Sequence, residues 1–145
     1  MNAPLYNAEI LRLTTAIPHD QRLRDPMASA ERRSPICGSR VTVDVNLDEA
    51  GRVAEVGMLV RACALGQASA ALLSAHVIGR SVTELAAARD ELAAWLEAGQ
   101  GDAPAWPGLD IFAPALTYTA RHPSIRLAFE AAAQAAEAAA AGSHR

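Results

Sequence analysis

Alternating hydrophobic and polar residues mark the middle of the chain as a β-hairpin. Residues 41–47 alternate valine and leucine with polar side chains, and the alternation resumes over residues 56–60. A period of two residues is typical of strands that bury one face. Residues 48–51, Asp-Glu-Ala-Gly, separate the two runs, and glycine suits a turn that requires a positive φ. Because a hairpin returns the chain to its starting end, the residues just before and just after it are predicted to meet.

The segments around this hairpin show helical periodicity or the end signals of helices. We expect the charged run Glu31–Arg33 to be a solvated edge strand and Trp106 to be a surface anchor in a loop. The alanine-rich tail after Glu137 is expected to fray. Four helices are predicted: residues 5–17, Cys63 through Val77, a helix opened by the capping box at residues 81–84 and ended by Gly99, and a last helix that starts at Pro123.

These elements predict a small α+β fold, in which a three-stranded antiparallel sheet carries helices packed on one side. With 145 residues, the chain is long enough for one domain, 1–145, which we expect to have its core at about 5–137 and a flexible tail at 138–145. Hydrophobic residues make up 51% of the chain but aromatic residues only 4%, so alanine, valine and leucine must fill the core.

The net charge and composition of the chain limit the kinds of partner and the cellular location that we expect for the protein. The formal net charge is −3, which gives no general attraction to nucleic acid or to anionic membranes. No apolar run approaches membrane-spanning length, and the first residues lack the hydrophobic region of a signal peptide. Two cysteines do not make a disulfide framework. We therefore expect a reduced, cytoplasmic protein.

Both cysteines flank the predicted hairpin, Cys37 before it and Cys63 after it. The hairpin geometry places them at one end of the sheet. A thiolate is a metal ligand and a sulfur nucleophile, and a helix N-terminus stabilises it. Cys63 stands at the start of a predicted helix, and Cys37 stands beside a glycine. These positions favour reactive thiols, whereas a lone cysteine in a protein is usually a packing residue.

The motifs around these cysteines resemble the NifU/IscU/SufU family of iron–sulfur cluster scaffold proteins, and most closely its SufU branch. The resemblance extends from about Leu5 to Ala132. Two positions depart from the family pattern, because Ser39 replaces its aspartate and Ser124 replaces its third cysteine. The matching segments are Cys37-Gly38-Ser39, Cys63, Gln67-Ala68-Ser69-Ala70-Ala71, Gly79-Arg80-Ser81, Leu109-Asp110-Ile111 and Ala120-Arg121.

The resemblance implies a non-enzymatic carrier that takes sulfur from a cysteine desulfurase, holds iron or a nascent iron–sulfur cluster, and passes it to cluster-accepting proteins. Cys37 and Cys63 would be ligands, and His122 would be a third. Ser39 and Ser124 would occupy ligand positions, although a serine hydroxyl hardly ionises at neutral pH. A tetrahedral site usually has four ligands, and zinc is an alternative metal for thiolates.

Two alternatives stay open from the sequence. A member of the family with a degenerate ligand set could act as a protein-binding adaptor without a cluster. An enzyme could instead pair Cys63 as a nucleophile with His122 as a base. The enzyme ranks lowest, because the sequence offers no group to orient the histidine or to stabilise an oxyanion.

Overall fold

The computed structural model describes residues 7–35 and 38–142, and within them the predicted α+β architecture is present. Two short 3-10 helices, Leu109–Ala115 and Thr119–Arg121, precede the last α-helix. The other elements are α1 (Ala8–Leu13), β1 (Ala28–Arg33), β2 (Arg40–Leu47), β3 (Val53–Arg61), α2 (Ala64–His76), α3 (Val82–Ala98) and α4 (His122–Gly142).

The three strands form one antiparallel sheet in the order β1-β2-β3. Arg33 of β1 lies opposite Arg40 of β2, and Arg40 lies opposite Arg61 of β3. The predicted turn after β2 closes through the Gly51 amide, which donates to the Asp48 carbonyl. Gly51 has a φ of 78°, the left-handed conformation for which glycine is suited. The sheet therefore has one end formed by the hairpin turn and an opposite end where β2 begins and β3 ends.

Helices cover one face of the sheet, as the fold prediction requires. Residues 41, 43 and 45 of β2 point to this inner face and are fully buried. The last helix, α4, packs against β1, β2, α2 and α3, and is therefore the central element of the core. Much of its buried surface is alanine, whose small side chain lets the neighbouring elements approach the helix closely. Alanine thus fills much of the core, as the low aromatic content predicted.

The outer face of the sheet is covered in its middle by the segment 19–23, which we call the strap. The Met58 amide of β3 donates to the carbonyls of His19 and Gln21. A Cβ built on Gly57 would lie 2.4 Å from the Gln21 carbonyl oxygen, so only glycine lets the strap lie this close to β3. The Arg22 Nε then donates over β3 to a carboxylate oxygen of Asp44 at 2.7 Å.

Three predictions about the elements were wrong. The first helix ends at Leu13 instead of residue 17, because the hydroxyls of Thr14 and Thr15 donate to the carbonyls of the last turn. Trp106 is buried, and its indole nitrogen donates to the Leu72 carbonyl at 2.8 Å. Helix α4 continues to Gly142, with Ala139 buried, so residues 138–142 are not a frayed tail. Residues 5, 6 and 143–145 of the predicted segments lie outside the described residues.

Within residues 7–35 and 38–142, every helix is too short or too polar to cross a bilayer.

Candidate functional site

Cys63 lies at the end of the sheet where β2 begins, and it is the N-cap residue of α2, as predicted. Its carbonyl accepts from the Gln67 amide at 2.9 Å, and the Gln67 side chain donates to the Ala62 carbonyl at 2.8 Å. These two bonds fix the turn from β3 into the helix. The residue is half-buried, and the positive end of the helix dipole lies beside it. The Cys63 side chain is therefore partly reachable from solvent.

The two serines that the resemblance places at ligand positions lie together in the structure. The hydroxyl oxygens of Ser39 and Ser124 are 3.5 Å apart, and both residues are buried. Ser39 immediately precedes β2, and its carbonyl accepts from the Ser34 amide at 2.8 Å. Ser124 belongs to the first turn of α4. The start of the last helix therefore lies beside the start of β2.

Gly66 brings the first turns of α2 and α4 into contact. A Cβ built at this position would lie 3.3 Å from the Ser124 carbonyl oxygen and 2.7 Å from the Ala62 Cβ. One helical turn further along α2, the Ser69 hydroxyl donates to the Ile125 carbonyl at 2.6 Å. The glycine and this hydrogen bond hold the turn that begins with Cys63 against the turn that contains Ser124.

His122, the third ligand implied by the resemblance, is the first residue of α4 and is held by the preceding segment. Its Nε2 lies 2.9 Å from the Ala115 carbonyl oxygen and donates to it. This bond assigns the proton to Nε2, so Nδ1 is the ring nitrogen with a lone pair for a ligand. The His122 side chain is buried.

Cys37 lies outside the described residues, so its proximity to Cys63 stays a prediction. The described residues on either side belong to one closed turn, because the Gly38 amide donates to the Ser34 carbonyl at 3.3 Å. Gly38 has a φ of 73°, a conformation that side-chain-bearing residues seldom adopt. Within residues 7–35 and 38–142, no three side chains of histidine, cysteine, aspartate or glutamate converge.

A row of arginines, which sequence reasoning missed, lies on the outer face at this same end. Arg33, Arg40 and Arg61 line an open depression of about 490 Å³ together with Ser34, Pro35 and Gly38. Glu31 pairs with Arg33 at 2.8 Å and approaches Arg40 at 3.8 Å. The hydrogen bond from Arg33 is the main reason why the pKa of Glu31 lies below its usual value. Extending the predicted hairpin pairing to its open end places Arg40 opposite Arg61, and this step could have revealed the row from the sequence.

A family model described as the NifU-like N terminal domain matches residues 5–105 of the chain. The chain belongs to this family. Members of the family are non-enzymatic scaffolds for iron–sulfur cluster assembly, so the prediction of a protein without enzymatic activity is confirmed at the family level, and the enzyme alternative falls away. No curated protein matches the chain significantly.

Solved structures agree with this assignment. The N-terminal NifU-like protein from Brucella abortus is 36% identical, with a TM-score of 0.88, and the match covers 94% of this chain and 95% of that one. A scaffold protein for the SUF system from Fervidobacterium islandicum, described as putative in its name, shares the fold at 19% identity and a TM-score of 0.78, over 91% and 96% of the two chains. A hypothetical protein shares it at 22% identity and a TM-score of 0.80, over 92% and 97%.

Proposed function

We propose that this protein accepts sulfur and holds iron or a nascent iron–sulfur cluster as cargo at the end of the sheet where Ser39, Cys63 and Ser124 come together. Cys37 and Cys63 supply the two thiolates, and His122 is the third ligand through Nδ1. The observation that carries the proposal is the 3.5 Å separation of the Ser39 and Ser124 hydroxyl oxygens beside the first turn of α2.

The chemistry of these residues suits a site that must release what it holds. Thiolates bind iron strongly, whereas serine hydroxyls stay protonated at neutral pH and bind it weakly. Two thiolates and one imidazole therefore leave a coordination position that a partner can fill. Cluster-accepting proteins could remove cargo from such a site more readily than from a site with a full set of thiolates.

Sulfur acceptance would use Cys63, which is half-buried at the N-terminus of α2. Its thiolate attacks the outer sulfur of a persulfide on a cysteine desulfurase. The new S–S bond forms on Cys63 as the old one breaks, and the desulfurase cysteine leaves as a thiolate. Charge and sulfur balance without an external oxidant, because the persulfide already carries the oxidised sulfur.

Anaerobic reconstitution with ferric iron, a thiol reductant and sulfide tests the proposal, with visible absorbance and iron analysis as readouts. We expect cluster bands in the wild type and their loss in Cys63→Ala and in Cys37→Ala. His122→Asn is compared with His76→Asn, which changes an exposed histidine at the other end of α2. A wild type that binds no iron, or equal behaviour of the cysteine variants and the wild type, would contradict the proposal.

A second candidate function, a protein-binding adaptor without a cluster, is favoured by one observation. Within residues 7–35 and 38–142, no three side chains of histidine, cysteine, aspartate or glutamate converge. An adaptor would bind a cysteine desulfurase or a cluster-accepting protein equally well with and without Cys63. Co-sedimentation of the Cys63→Ala variant with the desulfurase, together with a failed reconstitution of the wild type, would identify this function.

A further inference from the structure

The row formed by Arg33, Arg40 and Arg61 is an unfavourable arrangement for an isolated sheet. Directly opposite residues on adjacent antiparallel strands project from the same face, and like charges in such pairs repel. Arg33 lies opposite Arg40, and Arg40 lies opposite Arg61. Three guanidinium groups therefore follow one another across the full width of the sheet.

The chain neutralises this row only in part. Glu31 is the carboxylate that pairs with Arg33 and Arg40, at 2.8 and 3.8 Å. Within the described part of the chain, Arg61 makes no ion pair, and it is exposed. One carboxylate thus faces three guanidinium groups, although the whole protein carries a net charge of −3.

The surface around the row is open, whereas the middle of the outer face is covered. The strap covers the middle of that face, and its Arg22 is bonded to Asp44. At the row itself, the Arg33 side chain is 65% exposed and the Arg40 side chain 35% exposed. The depression of about 490 Å³ is larger than a single carboxylate needs and has room for a short peptide segment.

We infer that this arginine row is a docking site for an acidic segment of a partner protein. Planar guanidinium groups bind carboxylates through paired hydrogen bonds, and a row of three favours a segment with several carboxylates over a single charge. This inference rests on the proposed function, since the row lies at the same end as Cys63 and a bound partner would meet both. The negative charge of the rest of the protein would repel the same segment elsewhere and so direct it to the row.

The test titrates the full chain, without iron, with a hexaglutamate peptide and follows backbone amide shifts by NMR. Arg40→Gln/Arg61→Gln is compared with Arg12→Gln/Arg24→Gln, which removes the same charge from two exposed arginines away from the row. We expect shifts centred on residues 33, 40 and 61 and about tenfold weaker binding in the first variant. Binding by the control variant should stay within about twofold of wild type.

Three results would overturn the inference. Equal weakening in both double variants would mean general charge attraction. Shifts centred on another surface would place the peptide elsewhere. Displacement of the peptide by equimolar inorganic phosphate would mean a site for small anions. The titration uses no iron, so its result is independent of the reconstitution experiment. Peptide binding together with failed reconstitution would contradict the scaffold function and leave the docking site standing. Successful reconstitution without peptide binding would contradict the docking site alone.

Discussion

The hydroxyl oxygens of Ser39 and Ser124 lie 3.5 Å apart, although 85 positions separate the two residues along the chain. The first residue precedes β2, and the second belongs to the first turn of α4. This contact joins the strand end to the helix start, beside the turn that begins at Cys63. Substitutions at these two positions should therefore act on one shared site.

Introducing the aspartate and cysteine that the resemblance implies at positions 39 and 124 tests this convergence. The double variant Ser39→Asp/Ser124→Cys adds one carboxylate and one thiolate next to each other, so it should retain more iron than the wild type after reconstitution and desalting. Iron analysis and visible absorbance measure the gain. Cys37→Ala in the double-variant background should abolish it.

Ser74→Cys is the matched control for this experiment. Ser74 is another buried serine, near the far end of α2, so its replacement adds a thiol away from the proposed site. We expect no gain in iron from this variant. A gain equal to that of the double variant would mean that extra thiols bind iron wherever they lie, and that positions 39 and 124 have no special role.

Gly66→Ala should loosen the contact between α2 and α4. Its Cβ would lie 2.7 Å from the Ala62 Cβ and 3.3 Å from the Ser124 carbonyl oxygen, so the turn before α2 must shift and the start of α4 must move away slightly. We expect a loss of about 2 kcal/mol in the free energy of unfolding and a lower iron content after reconstitution. Urea denaturation and iron analysis measure the two effects. Unchanged values of both would show that the helix starts can shift without cost.

Gly57→Ala should displace the strap. The added Cβ would come within 2.4 Å of the Gln21 carbonyl oxygen and 2.7 Å of the Leu23 nitrogen. We expect about 2 kcal/mol of destabilisation, measured by urea denaturation. Gly142→Ala is the control, because its Cβ would meet nothing within 4 Å and should leave the stability nearly unchanged. A similar small effect at both positions would contradict the close approach of the strap.

Asp44 should make the protein less stable in acid. Burial raises the pKa of its carboxyl, but hydrogen bonds from Arg22 and Ser29 and from the Leu23 amide outweigh this effect, so the pKa lies below its ordinary value. The unfolded chain then binds the proton more readily than the native protein. The stabilisation is therefore complete above the ordinary pKa of about 3.9 and is lost as pH falls through the lower native value.

Asp44→Asn isolates this contribution. We expect it to lower the free energy of unfolding at neutral pH by about 3 kcal/mol and to flatten its dependence on pH between neutrality and about pH 3. Urea denaturation across that range measures both. Glu31 and Glu84 also have lowered pKa values and remain in both proteins, so the difference between the curves reports Asp44. Parallel curves for the two proteins would disprove the role of this carboxylate.

Local patterns predicted the elements well, and long-range contacts caused two of the three errors. The capping box of Ser81 and Glu84 is present because both partners lie within one helical turn. Trp106 was misjudged because its burial depends on Leu72, which is distant in sequence. The tail was misjudged because alanine alone does not reveal whether a helix face is packed, whereas α4 buries Ala139 in the core.

The same distinction holds for the candidate site. Cys63 was placed correctly at a helix start from a local signal, and the Ser39–Ser124 contact agrees with the resemblance to the family. The hydrogen bond between His122 and Ala115 was not foreseen, because it depends on a 3-10 helix that the sequence did not indicate. The ion pair of Arg22 with Asp44 likewise depends on where the strap crosses the sheet, and hydrophobic periodicity does not predict that path.

The strap has a consequence for how copies of this protein meet one another. The amide of Met58 at the border of β3 is already bonded to His19 and Gln21 of the same chain. A strand from a second molecule could not extend the sheet at that point without first removing the strap, and intermolecular strand addition is a common route to aggregation. The protein can thus keep one end open to other proteins while part of its sheet border is closed to its own copies.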